Sequence, residues 1–402
     1  MSEGIRPSNW RRNLAALWLA EVIALVGITA VVPFLPQYIQ QLGVTGAGQV
    51  ELWSGLVYSA HAVAIAIMAP VWGSLADRFG RKAMMLRAMM GSMVTLGAMA
   101  FVGDVRQLLA LRIAQGASEG IIAAAYTLVA TGTPIEQCGY ALGLMQVGVY
   151  VGASLGPAVG GVTADLWGYR SSFALTVVLI MVAIILVLVM VRDTPRSGAR
   201  AKQAGQENLL PVLASQALVI ALGLRLLVSL AYQIVSPMMS LFVPTLLEDR
   251  TRVASVVGAV TSVSMAGTAA GAALAGRFGQ RLGTRRALAL ALVSSAVCYL
   301  LQAMVRSTSQ LLALQALAGF AAGGVAAVLA TVLAQTAPEG RQGTVFGLDT
   351  TMAAVGNGIG PMLGAAIAAS WGLRRTFVAS SLCFGLAAVL AVVTINALTS
   401  RR

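Results

Sequence analysis

The sequence predicts an all-α polytopic membrane protein, with twelve transmembrane helices in two pseudo-symmetric six-helix bundles. Three observations predict it. The 402 residues are 58% apolar and only 10% charged, whereas a soluble domain carries roughly 25% charged residues. Apolar windows of about 20 residues, the length that crosses a bilayer, follow one another along nearly the whole chain. Finally, the stretch 139–173 returns without gaps at 343–377. Its matched pairs include Gly143/Gly347, Gly152/Gly356, Gly156/Gly360, Pro157/Pro361, Gly160/Gly364, Trp167/Trp371, Arg170/Arg374 and Phe173/Phe377.

A backbone in lipid must satisfy its own hydrogen bonds, so the spans are helices. They are expected near 14–41, 51–76, 81–102, 106–131, 138–165, 171–191, 212–246, 254–276, 286–305, 309–335, 342–370 and 373–397. The first bundle is then 1–192 and the second 212–402. Between them, 193–211 reads as a cytoplasmic linker, polar and punctuated by Pro195, Gly198 and Gly205.

The net charge of +13 follows the membrane and is not a nucleic-acid footprint. With the N-terminus inside, 18 of the 27 Lys and Arg fall on that side, seven fall on the other, and Arg112 and Arg225 lie within spans. Such a bias sets orientation, so both termini are expected in the cytoplasm. Arg11 and Arg12 precede an apolar run too long for a secretion signal, which reads as a retained first helix. Cys138, Cys298 and Cys383 have no paired spacing, so neither disulfides nor a metal cluster is indicated. No phosphate-binding loop, metal-ligand cluster or activated nucleophile is present. Neither an enzyme nor a cofactor is expected.

Helix 1 carries the deep acid Glu21 and kinks through Pro33-Phe34-Leu35-Pro36. Helix 2 carries His61, read as a structural histidine. The turn 73–82 follows, in which Gly73 and Gly80 permit a close hairpin. Arg78, Arg81 and Lys82 hold it to the cytoplasmic side, and Asp77 is placed to accept backbone donors or to face a neighbouring helix N-terminus; Gln280 replaces this acid in the second half. Helix 4 brings Arg112, Gln115, Glu119 and Tyr126. Seven residues separate Arg112 from Glu119, so on a continuous helix they share a face about 10 Å apart. Arg112 reads either as a buried cation or as a snorkelling one. In helix 5, Gly148, Gly152, Gly156 and Gly160 form a bare stripe with Pro157 inside it, a surface for close helix packing. Helix 7 holds Arg225 and Tyr232 and is expected to break at Ser236-Pro237. Arg225 reads as a counter-ion for Glu21 or Glu119, or as a snorkelling residue. Asp349 in helix 11 reads as a gate partner for the loop basic residues. Repetition extends to the scaffold and not to its charges: Asp77, Arg112 and Glu119 correspond to Gln280, Gln315 and Ala322.

These features resemble the major facilitator superfamily, and within it the twelve-span drug:proton antiporters. The turn 73–82 resembles that superfamily's loop motif, Arg112 with Gln115-Gly116 its helix 4 motif, and 152–161 its antiporter motif, with Gly152, Gly156, Pro157, Gly160 and Gly161 in place. The stretches 9–14, 33–36, 42–46 and 53–55 resemble one multidrug-exporter subfamily. The resemblance implies a central pocket lined by helices 1, 4, 7 and 10, with alternating access between the two membrane faces. Glu119 is the leading proton carrier and Glu21 its alternate or partner. Arg112, Gln115, Arg225, Tyr126 and Tyr232 are the expected charge-partner or substrate-binding residues. Gly73, Asp77, Arg78, Gly80, Arg81 and Asp349 are the expected gating residues. The expected partners are an apolar or cationic small molecule, protons and membrane lipids, with no nucleic acid, in a monomer of the bacterial inner membrane. Two alternatives remain: a lipid or glycolipid flippase or a sugar or metabolite exporter on the same scaffold, and a non-transporting membrane receptor or assembly protein.

Overall fold

A computed structural model describes residues 9–46, 48–191, 216–337 and 342–399; the expected linker lies outside them. Regular structure among the described residues is entirely helical. Helix α1 (Asn9–Thr29) bends through a 3-10 turn at Val32–Phe34 into α2 (Leu35–Gln41), where Pro33 and Pro36 interrupt the ladder of backbone donors. The first half continues as α3 (Gln49–Phe79), α4 (Arg81–Met99), α5 (Val105–Ser118), α6 (Ile121–Gly132), α7 (Ile135–Trp167) and α8 (Tyr169–Met190). The second half holds α9 (Gln216–Phe242), α10 (Val253–Leu282), α11 (Thr284–Gln302), α12 (Thr308–Thr336), α13 (Gln342–Trp371) and α14 (Leu373–Thr399). Eleven spans among the described residues are long and apolar enough to cross a membrane. The expected third span, α4, falls short on composition because Arg81, Lys82 and Arg87 crowd its first seven residues.

Three expectations need correction. The fourth span is two helices: α5 stops at Ser118, Glu119 is extended, and Gly120 takes φ +139° before α6 begins. The seventh does not break at Pro237, because α9 runs through that buried proline to Phe242; a packed membrane helix tolerates one freed carbonyl. Gly73 lies inside α3 facing open space, and the α3–α4 turn belongs to Gly80 at φ +92°.

Apolar burial gathers in one cluster around Leu17, Met85, Leu108 and Phe173, and in another around Leu218, Phe242, Leu292 and Phe384. Glycine does much of the packing between spans, because lipid gives helices no hydrophobic reason to associate and close approach must do so. Along α7, Gly148, Gly152, Gly156 and Gly160 lie against α1 from Trp18 to Ala30, and Gly356, Gly360 and Gly364 repeat this contact against α9. The glycine stripe is therefore a packing device in both halves. A second face of α7 joins the halves: a Cβ on Gly161 would strike the Ala254 carbonyl, and one on Gly258 the Pro157 carbonyl. Opposite, α3 lies on α13, with Gly55 against Pro361 and Ala365. Asp165 adds a polar tie, accepting from the amides of Ala254 at 3.0 Å and Ser255 at 2.7 Å. The Gln37 amide donates to the Ser240 carbonyl nearby in the same layer of the molecule. All these ties sit toward the face opposite the chain termini.

Candidate functional site

In the first half, α3 and α5 approach so closely at Gly116 that a Cβ there would meet the His61 carbonyl. That contact sets Tyr58 and His61 of α3 beside the polar side of α5. Nε2 of His61 lies 2.8 Å from Oε2 of Glu119, with the two side chains 17% and 25% exposed. Arg112 is buried and donates to Oε1 of Gln115 at 2.6 Å. Its guanidinium carbon stands 5.9 Å from the centre of the Tyr58 ring, and its charge acts on both His61 and Glu119. Two readings change here. Burial rules out the snorkelling account of Arg112. Glu119 does not share a helical face with Arg112, because the helix ends between Glu119 and the residues before it.

Glu21 is fully buried, and neither carboxylate oxygen has a hydrogen-bond partner among the described residues. Tyr126 of α6 lies within its electrostatic reach, although the Tyr126 hydroxyl is turned to Oε1 of Gln146 at 2.9 Å. A charge left buried and unpaired costs several kcal/mol. A proton or a cation arriving at Glu21 therefore changes the energy of this half substantially.

The second half holds a cavity of about 310 Å³, lined by Arg225, Tyr232, Gln233, Met239, Thr261 and Gln315 among others. Tyr232 meets Tyr299 and Phe384 edge-on at 6.2 and 5.0 Å, which fixes an aromatic wall. Nε of Arg225 lies 3.3 Å from Oδ1 of Asp349. Arg225 is therefore paired with Asp349 and is not the counter-ion of Glu21 or Glu119. The glycine stripe of α13 on α9 explains the pairing: Gly356 lies against Ser229, which brings the preceding turns, with Asp349 and Arg225, to one level.

Of the expected gate, Gly80 makes the turn and Arg81 starts α4, while the side chains of Asp77 and Arg78 lie outside the described residues. Lys82 donates to the Val191 carbonyl at 2.6 Å, at the end of α8, and Arg285 likewise to Val392 at 2.9 Å. Lys82 thus meets the carbonyl-rich end of α8, where positive charge is favourable, whereas Val392 lies within α14. Among the described residues no group of three His, Cys, Asp or Glu is placed to hold a metal. Sequence reading missed His61 as the partner of Glu119 and missed Trp72 and Arg87 altogether. The one local signal was Gly120 directly after a membrane acid.

The Major Facilitator Superfamily model matches residues 17–252 and 222–401. The chain is 33% identical over 382 residues to the multidrug resistance protein MdtG of Klebsiella pneumoniae, covering 95% of this chain and 93% of that one. Against MdtG of Salmonella typhimurium it is 33% identical over 403 residues, covering 100% and 99%. Among solved structures, it is similar to a bacterial homologue of the human lysosomal transporter Spinster in an inward-facing, occupied conformation. That match has a TM-score of 0.79 at 16% identity, over 98% of each chain. The nucleoside transporter NupG matches with a TM-score of 0.77 at 14% identity, over 94% of this chain and 99% of that one. These two likenesses establish the fold, and the MdtG matches bear out the subfamily resemblance read from the N-terminal segments. With both halves matched and the helices of a multi-pass membrane protein in place, the chain belongs to the major facilitator superfamily and is a transporter, not an enzyme.

Proposed function

We propose that this chain exports apolar or cationic drug-like compounds in exchange for protons, by alternating access in the bacterial inner membrane with both termini cytoplasmic. The drug cargo is carried over from the multidrug resistance relatives. One observation carries the coupling: an acid and a histidine 2.8 Å apart between two membrane spans, next to the buried Arg112. Titratable groups kept at such depth mark proton and ion pathways. The ties between the halves at the face away from the termini support an inward-facing state, in which cargo loads from the cytoplasm or inner leaflet. Glu119 exchanges the proton with His61 beside it, and Glu21 is the second acid of the same half. The Arg225–Asp349 pair and Tyr232 belong to the cargo side of the second half. Outward rocking of the halves then releases cargo as protons enter.

The test uses proteoliposomes holding a lipophilic cationic dye under an imposed pH gradient, with Glu119→Gln and Glu21→Gln made singly and together. The expected result is loss of pH-driven dye movement in Glu119→Gln and in the double variant. Undiminished pH-driven efflux from the double variant would sink the assignment.

A further inference from the structure

We propose that Trp72 and Arg87 are positioning residues for coupling: they hold the fourth span broken at Ser118-Glu119-Gly120 and so keep Glu119 against His61. The inference rests on the reading that Glu119 carries the coupled proton.

A helix that stops leaves its last carbonyls without partners, and within a membrane only the protein can supply them. Each carbonyl at this break is accounted for. That of Gln115 accepts from the Ser118 hydroxyl at 2.9 Å, and that of Gly116 from the Glu119 amide at 3.3 Å. That of Ala117 accepts from the Trp72 indole at 2.6 Å. Those of Ser118 and Glu119 accept from the two terminal nitrogens of Arg87, at 3.0 and 3.4 Å. The two donors also hold each other, since the Arg87 guanidinium carbon lies 3.5 Å above the Trp72 ring centre, a cation–π contact. One donor comes from α3 and the other from α4. The break is thus tied to two neighbouring spans at the residue that carries the acid.

The second half provides an internal comparison. Adding 203 to each number gives Ser264 for His61, Ala275 for Trp72, Leu290 for Arg87, Ala322 for Glu119 and Gly323 for Gly120. There α12 runs unbroken from Thr308 to Thr336, and Gly323 packs against the Thr268 carbonyl of α10. An apolar groove of about 600 Å³, lined by Ala275, Leu290 and Gly324 among others, occupies the corresponding region. The glycine is present in both halves, whereas the donors and the break occur together in one. The break therefore follows the donors, not the glycine.

The charged and titratable groups that face Glu119 are His61 from α3, Arg112 from α5 and, at its own carbonyl, Arg87 from α4. If the clamp serves to present Glu119 to His61, losing the clamp must resemble losing His61. The test titrates, in the full-length detergent-solubilised protein, the carboxyl infrared band that Glu119→Gln abolishes. Trp72→Phe, which keeps an aromatic ring but loses the indole N–H donor, and Arg87→Ala are expected to move its midpoint from the wild-type value to that of His61→Gln. Arg87→Lys is expected to stay near wild type, and Leu290→Ala to leave the titration unchanged. Folded Trp72→Phe and Arg87→Ala proteins that titrate like wild type, while His61→Gln does not, would overturn the positioning role. A His61→Gln titration identical to wild type would overturn it as well. Absence of any band lost in Glu119→Gln would instead remove the underlying assignment of Glu119.

Discussion

Thr176 and Ser380, 204 residues apart, are structural copies: Thr176 donates to the Gly27 carbonyl and Ser380 to the Ala231 carbonyl, each at 2.7 Å. The acceptors are also 204 residues apart, so each hydroxyl ties a sixth-position helix to a first-position helix at the same place in its half. The two halves share such uncharged interhelical ties and glycine packing, and also the cation-to-carbonyl ties of Lys82 and Arg285. Charges deep in the spans are not shared.

Thr176→Val and Ser380→Ala are expected to lower stability by about 0.5–1.5 kcal/mol each, the net worth of one hydrogen bond. The two sites lie in different clusters of buried residues, so the double variant should equal the sum within about 0.5 kcal/mol. Thermal unfolding in detergent checks both numbers. A large excess in the double variant would mean that the halves unfold as one packed unit at these sites.

Gly160 and Gly364 admit no side chain, because a Cβ at either would land on a backbone carbonyl, of Ala30 or Ile234. Backbone cannot rotate aside as a side chain can. Gly160→Ala and Gly364→Ala are therefore expected to cost about 1–3 kcal/mol or more through overpacking. Gly143→Ala faces open space and should be neutral or gain up to about 1 kcal/mol from helix propensity. Unfolding temperatures of the three variants decide the matter; equal effects at positions 143 and 160 would refute the steric account.

The glycine stripe was legible in the sequence because it is a local pattern: four-residue spacing on a helix fixes a face, and the copy in the second half repeats it. The bend at Pro33 and Pro36 was legible for the same reason. The break at Gly120 was not, since Gly323 stands at the matching place inside a continuous helix. What differs is supplied by Trp72 and Arg87, and no spacing rule links residues on three separate spans. Arg225 and Asp349 were recognised as deep charges, but their pairing with each other was not foreseen. Their pairing depends on the register of α13 against α9, which appears only once the glycines of one helix are set against named residues of the other.

The Arg225–Asp349 pair can be tested as a cycle. Asp349→Asn leaves Arg225 without its acid, and Arg225→Gln leaves Asp349 without its cation. Each single variant is expected to be more damaging than half of the double variant, with a coupling of about 0.5–3 kcal/mol. R225D alone sets two acids together and should express poorly, while R225D/D349R restores opposite charges. Stability and dye transport are measured for all of them. A coupling of zero would show that the pair contributes nothing to the resting state.

Asp165 ties the halves together as a cap across their boundary. Standing near the end of α7, it accepts from the amides of Ala254 and Ser255 in the first turn of α10, where unsatisfied donors and the helix dipole favour an acid. The corresponding residue in the second half is Ala369, so this polar tie has no copy on the α3–α13 side. Losing a helix cap costs about 0.5–2 kcal/mol. If the cap exists only while the halves are closed at this face, Asp165→Ala should raise the population open there by about two- to thirty-fold, as that energy implies. Asp165→Asn keeps an acceptor but loses the charge and one of the two bonds, and should fall between. The measurement is the distance distribution between spin labels at position 106, in the first turn of α5, and position 306, on the loop before α12, with Cys138, Cys298 and Cys383 replaced. Growth of the longer distance in Asp165→Ala is the expected outcome. An unchanged distribution would mean that glycine packing alone holds this face shut, and Gly258→Ala, aimed at the Pro157 carbonyl, should then open it where Asp165→Ala does not.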